Sequence, residues 1–141
     1  MGLLDNYTGI GMSPRPKWQH QMVIRRAQNR TAEELEEQGL FMLSEATVTN
    51  NWNDRAPDLV IFDAKYHPKS LVEITTHKEL RLILNAFNEL IDRFPSAECF
   101  TYDYEKNVLY KYDPASDAWN SSLQEELFSK YLELPMMEYL I

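Results

Sequence analysis

The chain has 141 residues, enough for one domain with one hydrophobic core. With 44% hydrophobic and 26% charged residues it has a globular composition, and its net charge of −8 argues against avid binding to phosphate backbones. No apolar run approaches the roughly 20 residues of a spanning helix, residues 1–12 lack the features of a signal peptide, and the single cysteine, Cys99, cannot by itself form an intramolecular disulfide or a thiolate zinc site. These absences point to the cytoplasm.

In chain order, residues 1–15 contain Gly2, Gly9, Gly11 and Pro14 and read as an irregular arm. A core from about residue 16 to 113 and a C-terminal helix and tail over 114–141 complete the single expected domain. A helix is expected from about Pro16 to Gln28, with the proline in the first turn, where a missing N–H costs little. Thr31-Ala32-Glu33-Glu34 is a capping-box pattern that predicts a second, short helix ending near Gly39. Arg15, Lys17, Arg25, Arg26 and Arg30 make this region basic, while Glu33 to Glu37 and the final third are acidic. The basic residues form either one positive face on an acidic protein or an ordinary solvated helix surface.

The period then changes. Met42 to Thr49 reads as a strand, Asn50 to Asp54 as a turn, and Asp58 to Asp63 as a strand with an almost continuous apolar run. Ala64 to Ser70 closes a hairpin onto Leu71 to Thr75. Such runs suit strands covered on both faces. Leu80, Ile83, Leu84, Phe87, Leu90, Ile91 and Phe94 then fall at helical spacing, behind a second capping box at Thr76-His77-Lys78-Glu79 and ahead of Pro95. Strands at Glu98 to Tyr104 and Val108 to Tyr112 flank a turn at Glu105-Lys106-Asn107. Ser122-Leu123-Gln124-Glu125 predicts a last helix through about Glu133, and the Met136 to Ile141 tail is apolar enough to dock. This order predicts an α/β (α+β) mixed sheet flanked by helices.

Asp58 and Glu73 carry the chemical interest. Side chains alternate along a strand, so Glu73 and Thr75 share one face and Val72 and Ile74 the other. A hairpin brings Asp58, at the start of the preceding strand, towards Glu73. Converging carboxylates, water and a substrate phosphate are the oxygen ligands that Mg²⁺ takes. Asp58 has the blander alternatives of capping a strand or pairing with Arg55. Glu73 is harder to explain away, because a carboxylate inside an apolar strand is costly without a partner. Glu45 is either a third carboxylate or a half-exposed strand residue. His20, His67 and His77 share no metal-ligand spacing. Cys99 reads as a small buried apolar residue. Phe100, Tyr102, Tyr104, Tyr110 and Tyr112 alternate as on a sheet face: core, base-stacking platform or dimer seam.

Pro57-Asp58, a hairpin, the strand bearing Glu73 and an amphipathic helix directly after it resemble the core of PD-(D/E)xK restriction-endonuclease-like proteins. More narrowly, residues 13–112 resemble compact stand-alone domains of that type abundant in cyanobacteria, including Met12-Ser13-Pro14 leading to His20 and the strand around Tyr102-Asp103. The resemblance implies a nuclease-like fold, a metal site at Asp58 and Glu73 for Mg²⁺ or Mn²⁺ and, as often in the family, a homodimer; defined substrates are scarce there, and DNA is the expected partner of an active enzyme. The family places a lysine two residues after the acidic strand residue, where this chain has Thr75. In related proteins that lysine can migrate to the following helix, which makes Lys78 and Arg81 the candidate cations for catalysis. The competing expectations are a catalytically degenerate protein of the same fold, acting as a dimeric binding or scaffold module, and an unrelated α/β interaction module.

Overall fold

The computed structural model describes residues 18–46, 48 and 56–141. The N-terminal arm with Arg15 and Lys17, the strand positions Thr47 and Thr49, the turn at Asn50 to Asp54, and Arg55 lie outside the described residues.

Helix α1 (Trp18–Glu36) is one continuous helix of 19 residues, not the two that the Thr31 pattern predicts. Thr31 does not cap. Its hydroxyl donates to the Ala27 carbonyl one turn back, at 2.7 Å, and its side chain is buried. No Gly or Pro stands between Gln28 and Thr31 to break the helix. Val23, Ile24, Ala27, Thr31 and Leu35 therefore form one unbroken buried stripe. Gly39 follows at φ +75°, a left-handed backbone that glycine adopts at little cost.

Six strands follow: β1 (Phe41–Ser44), β2 (Leu59–Phe62), β3 (Pro68–Thr75), β4 (Glu98–Asp103), β5 (Val108–Asp113) and β6 (Ala118–Ser121). They form one sheet in sequence order. Every neighbouring pair is antiparallel except β3 and β4, which run parallel from Ser70 opposite Glu98 to Thr75 opposite Asp103. A parallel pair needs a crossover, and helix α2 (Leu80–Arg93) provides it. The expected capping box does not start the helix: Thr76 Oγ1 accepts the Glu79 N–H at 3.3 Å within a turn over residues 77–79, and the helix begins at Leu80 behind Glu79, which makes no side-chain cap bond.

The sheet is covered on both sides. Leu59, Ile61, Val72, Ile74, Phe100, Tyr102 and Leu109 pack with α1 and the C-terminal segment. Val60, Phe62, Leu71 and Cys99 pack with Phe87 and Leu90 of α2. Cross-strand partners share a face, so the aromatic alternation splits. Phe100 lies opposite Lys111, and Thr101 lies opposite Tyr110. Phe100 and Tyr102 consequently join the α1 core, while Tyr110 and Tyr112 stand on the α2 side.

Strand β6 and residues 122–136 correct the expected C-terminal helix. Ser122 does not cap a helix; it continues the β5–β6 pairing, its N–H donating to the Leu109 carbonyl and its Oγ accepting the Leu109 N–H. Further on, the buried Glu98 accepts from Ser129 Oγ at 2.7 Å and from the Lys130 N–H at 2.6 Å, pinning an extended path. The apolar tail ends in the short helix α3 (Met137–Leu140) and docks on this chain's own α1. Tyr139 donates its hydroxyl to Glu34, and Arg30 donates to the Glu138 and Ile141 carbonyl oxygens. One arginine of the basic cluster is thus a tether for the tail. Among the described residues no helix is long and apolar enough to cross a membrane.

Phe87 is fully buried, and its ring lies 5.4 Å from that of Trp119, joining α2 to the sheet. Phe87→Ala is expected to cost about 3–5 kcal/mol of stability, read as a lowered urea midpoint at unchanged slope. A loss below about 1 kcal/mol would mean that α2 does not depend on this contact.

Candidate functional site

Backbone pairing between β2 and β3 reaches Leu59 opposite Val72. One residue further on, side chains take over the ladder. Glu73 Oε1 accepts the Asp58 N–H at 3.2 Å, and Asp58 Oδ2 accepts the Ile74 N–H at 2.7 Å. Each carboxylate therefore accepts from the backbone of the other's strand. Asp58 is positioned further by the Glu45 N–H, which donates to its carbonyl oxygen at 3.0 Å. Glu45 itself turns away from strand geometry at φ 53° and is exposed.

The two carboxylates differ in setting. Glu73 is 1% exposed, in a strand whose last six residues are all buried. Asp58 is half-buried, and its Oδ1 lies 3.3 Å from Nε2 of His20, in the first turn of α1. His20, which by spacing alone reads as an ordinary helix histidine, is part of the site. Its pKa is raised, first by the hydrogen bond to Asp58. Burial opposes that rise, and the charges of Asp58, Glu45 and Glu79 add to it.

The other candidates spread out. Thr75 is buried, and its hydroxyl donates to the Thr76 carbonyl rather than into the site. Lys78 is exposed in the turn before α2, close to the end of β3. Arg81 is exposed on α2 and lines an open groove with Tyr110 and Trp119. A second acidic group went unread in the sequence. Asp103 lies opposite Thr75, is fully buried, accepts the Glu105 and Lys106 N–H groups, and sits 2.8 Å from Nδ1 of His77. The same signal that marks Glu73, a carboxylate in an apolar strand, marks Asp103. Cys99 is buried as expected, and burial pushes its thiol up to about 12.

Two carboxylates on adjacent strands are hard oxygen ligands, and Mg²⁺ commonly takes one or two of these and completes its shell with waters and substrate phosphate. Among the described residues no group of three or more His, Cys, Asp or Glu side chains is placed to hold a metal ion. Asp58 and Glu73 supply the oxygen chemistry that such a cation takes, and they do not form a full protein cage.

The raised His20 pKa has a definite sign for stability. A histidine whose folded pKa lies above its unfolded value stabilises the fold fully below the unfolded pKa, and this is lost as pH rises through the folded one. In metal-free protein His20→Gln should therefore cost more stability near about pH 5.5 than near about pH 8.5, measured by urea unfolding. Equal losses at both values would mean that the His20–Asp58 contact carries no ionic component.

The sequence matches no protein-family model and no curated protein. The fold, by contrast, matches solved structures. One is the crystal structure of a candidate nuclease belonging to DUF820 from Anabaena variabilis ATCC 29413. The two superpose with a TM-score of 0.61 at 13% sequence identity, over 92% of this chain and 86% of that one. The mixed sheet flanked by helices is a nuclease-like fold.

Proposed function

We propose that the chain is a metal-dependent DNA endonuclease of restriction-endonuclease-like fold, acting in the cytoplasm with Asp58 and Glu73 as ligands for Mg²⁺ or Mn²⁺. The observation that carries this reading is the pair of bonds at the end of the β2–β3 pairing, Asp58 N–H to Glu73 Oε1 and Ile74 N–H to Asp58 Oδ2. Mg²⁺ bound there would supply an activated water and offset charge developing on the phosphate. Glu73, held by the sheet, provides the fixed carboxylate. Asp58 provides the adjustable one, oriented by the Ile74 N–H and by His20. Lys78 is the side chain retained for the missing lysine, because it stands in the turn that directly follows β3. Arg81, also a candidate by sequence, lines the groove described below.

Specific observations favour a second reading, a catalytically degenerate dimeric scaffold. Thr75 carries no charge and spends its hydroxyl on a backbone carbonyl. Asp58 contacts a protein donor through each of its carboxylate oxygens. In this reading the carboxylates finish the sheet ladder and do no chemistry.

Incubation of plasmid DNA with Mn²⁺ separates the two. The nuclease reading expects cleavage by wild type that falls by about 10²-fold or more in both Asp58→Ala and Glu73→Ala, the scale of losing a principal electrostatic contributor. Equal background cleavage by all three proteins supports the scaffold. Light scattering tests the dimer, which requires a mass near twice 16.6 kDa.

A further inference from the structure

On the α2 side of the sheet, beyond the carboxylates, an open groove of about 670 Å³ runs between α2 and strands β5 and β6. Small-molecule sites span roughly 300–1,000 Å³, so there is room for one nucleotide. Its two walls differ in chemistry. The helix wall presents Arg81, Asn85 and Asn88, spaced i, i+4 and i+7 on one stripe of α2, beside Leu80 and Leu84. The sheet wall presents Tyr110, Tyr112 and Trp119.

Two rings of that sheet wall are held by their neighbours. The Trp119 ring lies 5.4 Å from Phe87 and 5.5 Å from Tyr112, and Tyr112 donates its hydroxyl to Asp117 Oδ1 at 2.6 Å. The aromatic surface is thereby preorganised, so little rotamer entropy is lost when a flat ligand meets it.

We infer that this groove binds an unpaired nucleobase of single-stranded nucleic acid, stacked on one ring of the Tyr110–Tyr112–Trp119 wall, since the Tyr112 and Trp119 planes meet at 61°, with its edge on Asn85 and Asn88. Each alternative leaves part of the groove unused. An aliphatic ligand would bury the two amides without partners. A free anion would find one cation, Arg81, countered by Asp117, which gives the groove no net charge. A base in duplex DNA offers no open face for stacking. A single unpaired base uses both walls: every base has a π-face, and amide side chains pair with base edges. Arg81 is left for one neighbouring phosphate. This also suits a chain of net charge −8, which is poorly built for binding through many phosphates.

The groove can be tested without the carboxylate chemistry. Fluorescence anisotropy of a labelled single-stranded oligonucleotide is measured in EDTA, so that failure of metal-dependent cleavage leaves the result standing. Wild type is expected to bind an ordinary strand about 5- to 150-fold more tightly than an otherwise identical abasic strand, the range of one stacked base. The Asn85→Ala/Asn88→Ala double variant should lose about fivefold or more. Both residues are exposed, so the fold should persist, and circular dichroism checks this. The salt dependence should be shallow, with a slope of about −0.7 for one phosphate, and Arg81→Ala should abolish it. Equal affinity for the abasic strand, unchanged binding by the double variant, or no binding of any strand would each overturn the assignment.

Discussion

Strands β3 and β4 lie side by side in parallel and are covered on both faces, so residues 70–75 and 98–103 are all buried. A parallel pair needs this, because its crossover helix seals one face and the rest of the chain must seal the other. The consequence falls on the polar side chains these strands carry. Glu73, Glu98 and Asp103 are withdrawn from water, and a buried carboxylate is tolerated only where donors compensate for its lost hydration. Each recruits backbone N–H groups, and each recruitment shapes a different part of the molecule.

Glu98 recruits Ser129 and Lys130 and so fixes the path of the C-terminal segment. Asp103 recruits the turn after β4 and orients the His77 ring. Glu73 recruits the Asp58 N–H and binds the end of β2 to β3. Asp58 completes the exchange by accepting from Ile74 and contacting His20, which brings α1 to the same point. The candidate site is thus where sheet, helix and hairpin meet, and its carboxylates are held by charge-assisted bonds that keep them in place. The proposed metal site and a purely structural junction call for the same arrangement, which is why cleavage assays on both carboxylates carry the decision.

The α2 face joins two regions of different chemistry. Register places Glu73 opposite Thr101, and Thr101 opposite Tyr110, so one row of side chains runs from the acidic end of the sheet to the aromatic groove. At about 4.8 Å between strands, Tyr110 stands roughly 10 Å from Glu73 along that row. The acidic end suits a cation and the aromatic end suits a flat ring, so the two proposals draw on separate residues of one face.

Much of this was legible in the sequence, for local reasons. Apolar runs bounded by turn residues marked β2 to β5, a 3.6-residue period marked α2, and a lone carboxylate inside an apolar strand marked Glu73. What failed were local caps that tertiary bonds reassigned. Thr31 turns its hydroxyl back to Ala27 inside one long helix, and Ser122 extends a strand pair where a helix start was expected. Glu98, buried among donors from a segment some thirty residues away, left no local trace of its partners. The sequence alone determined which residues could be strands or helices and that Glu73 was chemically out of place, because period and hydropathy are local properties. Only the tertiary structure decided which face each strand shows, that His20 closes on Asp58, and that Arg81 lines an aromatic groove. Register, crossover and burial are set by contacts between distant parts of the chain.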